Sequence, residues 1–73
     1  MASQTKSGLK HPTTFSAFHE VRLRTPQVSD DVTFPAGARG VIVDVYEDGS
    51  YGVEFSIPVE DVLIVAGEDL KAA

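Results

Sequence analysis

The sequence has 73 residues, six cationic and eleven acidic side chains, a net charge of -5 and no cysteine. This length allows one small domain with a marginal core, and the lack of cysteine excludes disulfides and cysteine-based zinc sites as extra support. Self-association is the remaining common way to stabilise such a chain. No apolar run approaches the roughly 18 residues that cross a bilayer, so we expect a cytoplasmic protein with no membrane partner.

The charge is unevenly distributed along the chain. Residues 1–25 carry four cations against one acid, whereas residues 26–73 carry two cations against ten acids. An acidic body repels polyanions, so the composition argues against a nucleic-acid partner.

Residues 1–14 have no hydrophobic period and are rich in Ser, Thr, Lys, Gly and Pro. They cannot bury enough apolar surface to offset the entropy lost on ordering. We therefore predict a disordered tail over residues 1–14 and one β-domain over residues 15–73.

The first strand is predicted around Val21 and Leu23, which alternate with charged residues at the period of a half-buried strand. Phe15 and Phe18 precede it, and we expect both to close one end of the core. Beyond Pro26, which cannot donate to a ladder, a Ser-Asp-Asp turn signal predicts an excursion from the sheet over residues 27–34.

A turn at Phe34–Gly37, predicted to be type I, leads into the strongest hairpin signal of the chain. Two apolar β-forming segments, residues 41–46 and 51–55, flank the pair Asp48-Gly49.

Two loop lengths are compatible with this hairpin. A two-residue loop pairs Tyr46 with Tyr51 and leaves both faces of the hairpin largely apolar. A three-residue loop, residues 47–49 with Gly49 left-handed, is favoured because it keeps Asp44 and Glu54 out of the core. It pairs three valines of the first segment with residues of the second, as Val45–Tyr51, Val43–Val53 and Val41–Phe55, and groups Ile42 with the polar face.

Residues 61–66 form a continuous apolar run, which predicts a strand covered on one side by the core and on the other by a neighbouring segment or subunit. Residues 68–70 are predicted to form one helical turn in which Leu70 closes the end of the core. The last three residues are expected to fray.

The residues from Ala36 to Tyr46, followed by Asp48-Gly49 and Val53-Glu54-Phe55, resemble the pattern G-x-x-G-x-I-V-x-V-Y, D-G and V-E-F. That pattern belongs to a family of small bacterial SH3-like barrel domains of unassigned function, and the resemblance covers Phe18 to Leu70. It implies an all-β fold, a small SH3-like barrel of about five short antiparallel strands. It carries over no catalytic or binding residue.

The segment Val62-Leu63-Ile64-Val65 is also similar to a strand of the type II dihydrofolate reductases, short SH3-like barrels that act as homotetramers around a pore. Their motif V-Q-I-Y lines that pore, and here Leu63 replaces the glutamine and Val65 the tyrosine. The polar groups for substrate are missing, so we expect no enzyme and no cofactor. The likeness still implies that so small a barrel can bury an apolar strand by oligomerising.

These patterns favour a non-enzymatic protein-interaction module that forms homo-oligomers. Its predicted interface consists of Ile42, Val62, Leu63, Ile64 and Val65. The alternative is a site for a cationic peptide or small cation, because aromatic rings beside carboxylates attract cations. Its predicted residues are Tyr46, Tyr51, Asp44 and Glu54.

Metal binding and acid-base catalysis have little support. The paired acids adjoin turns and lack the spacing of a calcium loop, so we predict no metal site. His19 is expected to be a partly buried histidine rather than a base beside Glu20.

Overall fold

The computed structural model describes residues 15–73, and the predicted tail over residues 1–14 lies outside the described residues. The strands are β1 (Glu20–Leu23), β2 (Gln27–Ser29), β3 (Val32–Phe34), β4 (Arg39–Val45), β5 (Ser50–Phe55), β6 (Asp61–Ala66) and β7 (Leu70–Ala72). A short 3₁₀ helix, Gly67–Asp69, connects β6 to β7. The described residues contain no α-helix, which confirms the all-β prediction.

Five strands form one antiparallel sheet in the order β6-β5-β4-β1-β7, and β2 pairs with β3 in a separate two-stranded sheet. β1 and β7, which are the first and last strands along the chain, are therefore neighbours in the sheet. Strand pairing does not close into a barrel within the described residues. The antiparallel all-β class is confirmed, whereas the SH3-like barrel stays a prediction.

The core is entirely apolar apart from one tyrosine hydroxyl, and it takes residues from every strand of the large sheet. In β1 the inward residues are Val21 and Leu23, as the alternation predicted. The rings of Phe34 and Phe55 pack with their centroids 5.1 Å apart. The buried residues are Phe15, Val21, Leu23, Phe34, Ile42, Tyr51, Val53, Phe55, Leu63, Val65 and Leu70.

The β4–β5 hairpin has the predicted three-residue loop. Val45 pairs with Tyr51, the Tyr46 N–H donates to Ser50 O at 3.0 Å, and Gly49 has a φ of 91°. The favoured register is therefore correct at the tip of the hairpin, and both Asp44 and Glu54 are exposed, as it required.

The register prediction is wrong beyond Asp44, because a β-bulge at Val43 shifts the pairing by one residue. Ile42 pairs with Val53 and not with a residue of the polar face. An extra residue in one strand reverses which side chains face the core. As a result Ile42 is fully buried, whereas Val41 pairs with the exposed Glu54. Val45 keeps its predicted partner Tyr51 and is about half exposed at the hairpin tip.

Gly40 allows β4 to approach β5 closely on the core side. A Cβ at this position would lie 2.6 Å from Val53 Cγ1 and 2.9 Å from both Glu54 O and the Phe55 ring. A side chain there would displace both core side chains and a backbone carbonyl, so the position requires glycine.

Two predictions for the N-terminal half need correction. Phe15 is buried as expected, but Phe18 is 80% exposed, because it lies in a turn with a φ of 69° that directs it away from the core. The turn before β4 begins at Pro35, whose carbonyl accepts the Ala38 N–H at 3.0 Å. This places Gly37, with a φ of 89°, at the third position, as a type II turn requires.

The predicted excursion over residues 27–34 does leave the large sheet, and it forms the β2–β3 hairpin. Asp30 and Asp31 make its two-residue turn, both with positive φ. Nor do the last residues fray as expected, since Lys71 and Ala72 pair with β1.

Candidate functional site

Strand β6 lies at one edge of the large sheet, and its outward side chains are apolar. Leu63 and Val65 point into the core, whereas Val62 is 50% and Ile64 61% exposed. Cover of the outer face by a neighbouring segment is therefore wrong for the described part of the chain, whereas cover by a second subunit stays a prediction. The core covers one face, and no other described element covers the second.

The backbone of β6 also has a free edge. The Gly67 N–H donates to Gly49 O at 2.9 Å, which fixes which opposed residue pairs of the β5–β6 ladder are hydrogen-bonded. Hydrogen-bonded and non-bonded pairs alternate in an antiparallel ladder, so Val65 and Leu63 exchange backbone hydrogen bonds with β5. The backbone groups that point away from β5 are those of Val62, Ile64 and Ala66.

One end of this edge is blocked by Asp61. Its Oδ1 accepts the Val62 N–H at 2.8 Å, and its Oδ2 accepts the Ser29 hydroxyl at 3.2 Å. The first contact agrees with this hydrogen-bonding pattern, because a Val62 N–H that was bonded to β5 could not donate to Asp61 Oδ1. We call the remaining backbone, from the Val62 carbonyl to Ala66, the open edge of β6.

Three residues of the predicted interface are not at the surface. Ile42, Leu63 and Val65 are buried inside the chain and already serve its own core. The surface that a partner could contact is therefore reduced to Val62 and Ile64.

The two hairpin tyrosines do not come together as a site for a cation. Tyr51 is buried, where its hydroxyl oxygen accepts the Phe15 N–H at 3.2 Å and its ring packs edge-to-face on the Phe15 ring. Tyr46 lies on the outer face of the sheet, where its hydroxyl donates to Asp44 Oδ2 at 3.5 Å. Glu54 is also exposed on this face. One ring beside carboxylates remains, which is less than an aromatic cage requires.

The environments of two groups near the hairpin tip shift their pKa values. Desolvation of the hydroxyl, followed by the charge and hydrogen bond of Asp44, raises the pKa of Tyr46. Hydrogen bonds from the Ser50 hydroxyl and the Ser50 N–H, at 2.6 and 2.9 Å, lower the pKa of the Asp48 carboxyl. Both shifts are explained by local turn structure.

The outer face of the sheet carries a row of cations that sequence analysis missed. Arg22 in β1 pairs directly with Arg39 in β4 on one side and with Lys71 in β7 on the other. All three side chains point away from the core, because they alternate with buried positions: Val21 and Leu23 in β1, Gly40 in β4 and Leu70 in β7. We call Lys71, Arg22 and Arg39 the basic row.

A cleft of about 410 Å³ adjoins the basic row and shares Arg39 with it. Val41 lines the cleft and lies between Glu20 and Glu54 in the strand register. Pro35 and Ile57 add apolar surface. Arg39 Nη1 is 3.9 Å from Glu20 Oε2, and this is the one ion pair within 4 Å among residues 15–73.

The predictions for His19 and for a metal site can be compared with the described residues. His19 is exposed rather than partly buried, and its Nδ1 accepts the Ser16 N–H at 3.4 Å. Within residues 15–73 no group of three or more His, Asp or Glu side chains is arranged to hold a metal ion. No helix in this part of the chain is long and apolar enough to span a membrane.

Comparison of the chain with protein-family models gave no match. Searches of curated proteins and of solved structures found no protein of significant similarity. The arguments about function therefore rest on the geometry of β6 and of the outer face.

Proposed function

We propose that this chain is a non-enzymatic protein-interaction module of the SH3-like class that forms homo-oligomers through β6. One observation carries the proposal: β6 is an edge strand with a free backbone and an apolar outer face. Natural edge strands usually carry lysine, proline or bulges that prevent pairing, and the sequence from Asp61 to Ala66 contains no lysine or proline.

Two features support the SH3-like class. A long excursion, the β2–β3 hairpin, follows the first strand, and the first strand pairs with the last. Both agree with the resemblance of residues 18–70 to the small bacterial family. A cytoplasmic location, expected from the cysteine-free composition, belongs to the same proposal.

The free backbone groups of Val62, Ile64 and Ala66 determine in which register two copies would pair. An antiparallel pair of β6 strands centred on Ile64 places each Ile64 opposite Ile64 of the second copy. The two Ile64 residues then exchange N–H and carbonyl groups, and each Val62 carbonyl accepts the Ala66 N–H of the other copy. In this register the Val62 N–H keeps its hydrogen bond to Asp61 Oδ1.

The same register brings apolar side chains together. Val62, Ile64 and Ala66 of both copies form one strip across the outer face of a continuous sheet, and cross-strand apolar pairs contribute about 0.2–1 kcal/mol each. Asp61 faces Gly67 of the second copy, so no two acids are directly opposed within the ladder. The geometry thus favours a two-fold dimer of modest affinity.

Light scattering on the purified protein tests the proposal. At tens of micromolar the chain should have twice its monomer mass of 7.8 kDa. Ile64→Lys should return it to the monomer, because the proposed register would place the two ammonium groups directly opposite each other. Ile57→Lys is the matched control, since Ile57 is 78% exposed and lies outside β6, and it should leave the dimer intact.

A strictly monomeric wild-type chain at these concentrations contradicts the proposal. So does a dimer that Ile57→Lys disrupts and Ile64→Lys leaves unchanged, because it would place the contact elsewhere.

A further inference from the structure

The basic row contains two like-charged pairs on neighbouring strands, Arg22 with Arg39 and Arg22 with Lys71. Like charges directly opposite each other destabilise a sheet. Residues 15–73 hold only four cations and all eleven acids of the chain, yet three of the four cations are aligned here. The mutual repulsion of these three cations makes the arrangement one that an external anion would stabilise.

Contacts within the chain compensate little of this repulsion. The Arg22 Nη1 donates to Gly37 O at 3.1 Å, which is a neutral acceptor. Arg39 has only the long 3.9 Å contact with Glu20, between side chains that are each more than half exposed. Lys71 is exposed and has no acidic side chain within 4 Å among the described residues.

The shape of this surface limits what anion it fits. Neighbouring strands lie about 4.8 Å apart, so the basic row extends over about 10 Å of an open sheet face. Residues 15–73 contain no α-helix whose N-terminus could enclose a phosphate group here. The adjoining cleft is lined by Val41, Pro35 and Ile57, which suits an apolar side chain.

We propose that the basic row binds an extended acidic peptide, with an apolar side chain of the peptide seated in the cleft next to Arg39. Carboxylates of the peptide pair with Arg22, Arg39 and Lys71, and arginine presents the planar fork that carboxylates accept. Glu54 lies at the opposite side of the cleft and repels further acidic residues of the peptide. The acidic segment of the peptide therefore ends next to the apolar residue that enters the cleft. This site lies on the outer face of β7, β1 and β4 and does not use β6.

Nuclear magnetic resonance of the full ¹⁵N-labelled chain tests the assignment. The probe is a short synthetic peptide of alternating Glu and Ser that ends in a leucine, and the control peptide has Lys in place of every Glu. The acidic peptide should shift the amide signals of Arg22, Arg39, Lys71 and Val41. The lysine peptide should leave these signals unchanged.

Variants separate the basic row from the basic N-terminal segment. Arg22→Gln with Lys71→Gln should weaken binding by at least about tenfold, because charge-assisted hydrogen bonds are lost. Lys6→Gln with Lys10→Gln makes the same change in net charge and should leave the affinity within about twofold, since neither lysine belongs to the basic row. Lys71→Glu alone should also abolish binding, and its exposed side chain makes it safe for folding.

Three results would overturn the proposal. The first is loss of peptide binding in the Lys6/Lys10 variant and not in the Arg22/Lys71 variant. The second is binding of tripolyphosphate to the basic row without binding of the peptide, which would assign the site to a small phosphate-containing anion. The third is an equal affinity for peptides with and without the terminal leucine, which would remove the cleft from the site.

Discussion

At the scale of single residues, Asp48 shows how the hairpin tip organises itself. Its carboxylate accepts both the N–H and the hydroxyl of Ser50, so the charged form is favoured and the pKa of Asp48 is lowered. These contacts stabilise the folded chain above the ordinary aspartate pKa. Their contribution is lost as the pH falls through the lowered pKa.

We therefore expect the side-chain carbonyl signal of Asp48 to titrate below the ordinary range of aspartate in a ¹³C NMR experiment. Ser50→Ala should raise the pKa of Asp48 towards that range, because the hydroxyl makes the larger contribution. Ser29→Ala, which removes the hydroxyl next to Asp61, should leave it unchanged. An Asp48 pKa that does not respond to Ser50→Ala would contradict this explanation.

At the scale of elements, the sequence predicts where the strands lie better than it predicts how they pair. Alternation around Val21 and Leu23 and the Asp48-Gly49 pair are local signals, and both predictions are confirmed. The bulge at Val43 has no local signal, because it lies in a run of β-branched residues that fit either face. The assignment of Ile42 to the polar face failed for this reason.

The candidate sites depend on long-range pairing, which no local pattern encodes. An apolar run such as that in Asp61–Ala66 predicts a strand, but it does not predict the position of that strand in the sheet. β6 lies at the edge because it pairs with β5 alone, while β1 and β7 join the sheet on the other side of β4. The basic row likewise joins Arg22 to Lys71 across most of the chain. The predicted interface therefore contained Val62 and Ile64, which are exposed, together with Ile42, Leu63 and Val65, which are buried.

The close approach of β4 and β5 at Gly40 gives a prediction at this scale. Gly40→Ala should lower the free energy of unfolding by about 1–3 kcal/mol or more, because the new methyl group overlaps Val53, Phe55 and a backbone carbonyl. Val41→Ala, on the outer face of the same strand, should cost about 1 kcal/mol or less. Urea denaturation monitored by circular dichroism gives both values, and a tolerated Gly40→Ala would contradict the packing described here.

At the scale of the whole molecule, net charge separates the two proposed contacts. Two copies that each carry a charge of -5 repel one another, so added salt should strengthen the β6 dimer by screening this repulsion. The acidic peptide is attracted to the basic row, so the same salt should weaken its binding. Sedimentation and peptide titration over one series of salt concentrations should therefore show opposite trends, and parallel trends would contradict one of the two contacts.

The proposed function depends on the pairing of β6 with β6 of a second copy. The most direct measurement is isotope-filtered NMR on a mixture of labelled and unlabelled chains, which detects contacts between copies only. We expect intermolecular contacts between the backbones at Ile64 and between Val62 and Ala66, together with slow amide exchange along the open edge. A mixture with no intermolecular contact at β6, and with rapidly exchanging Ile64 and Ala66 amides at tens of micromolar, would contradict it.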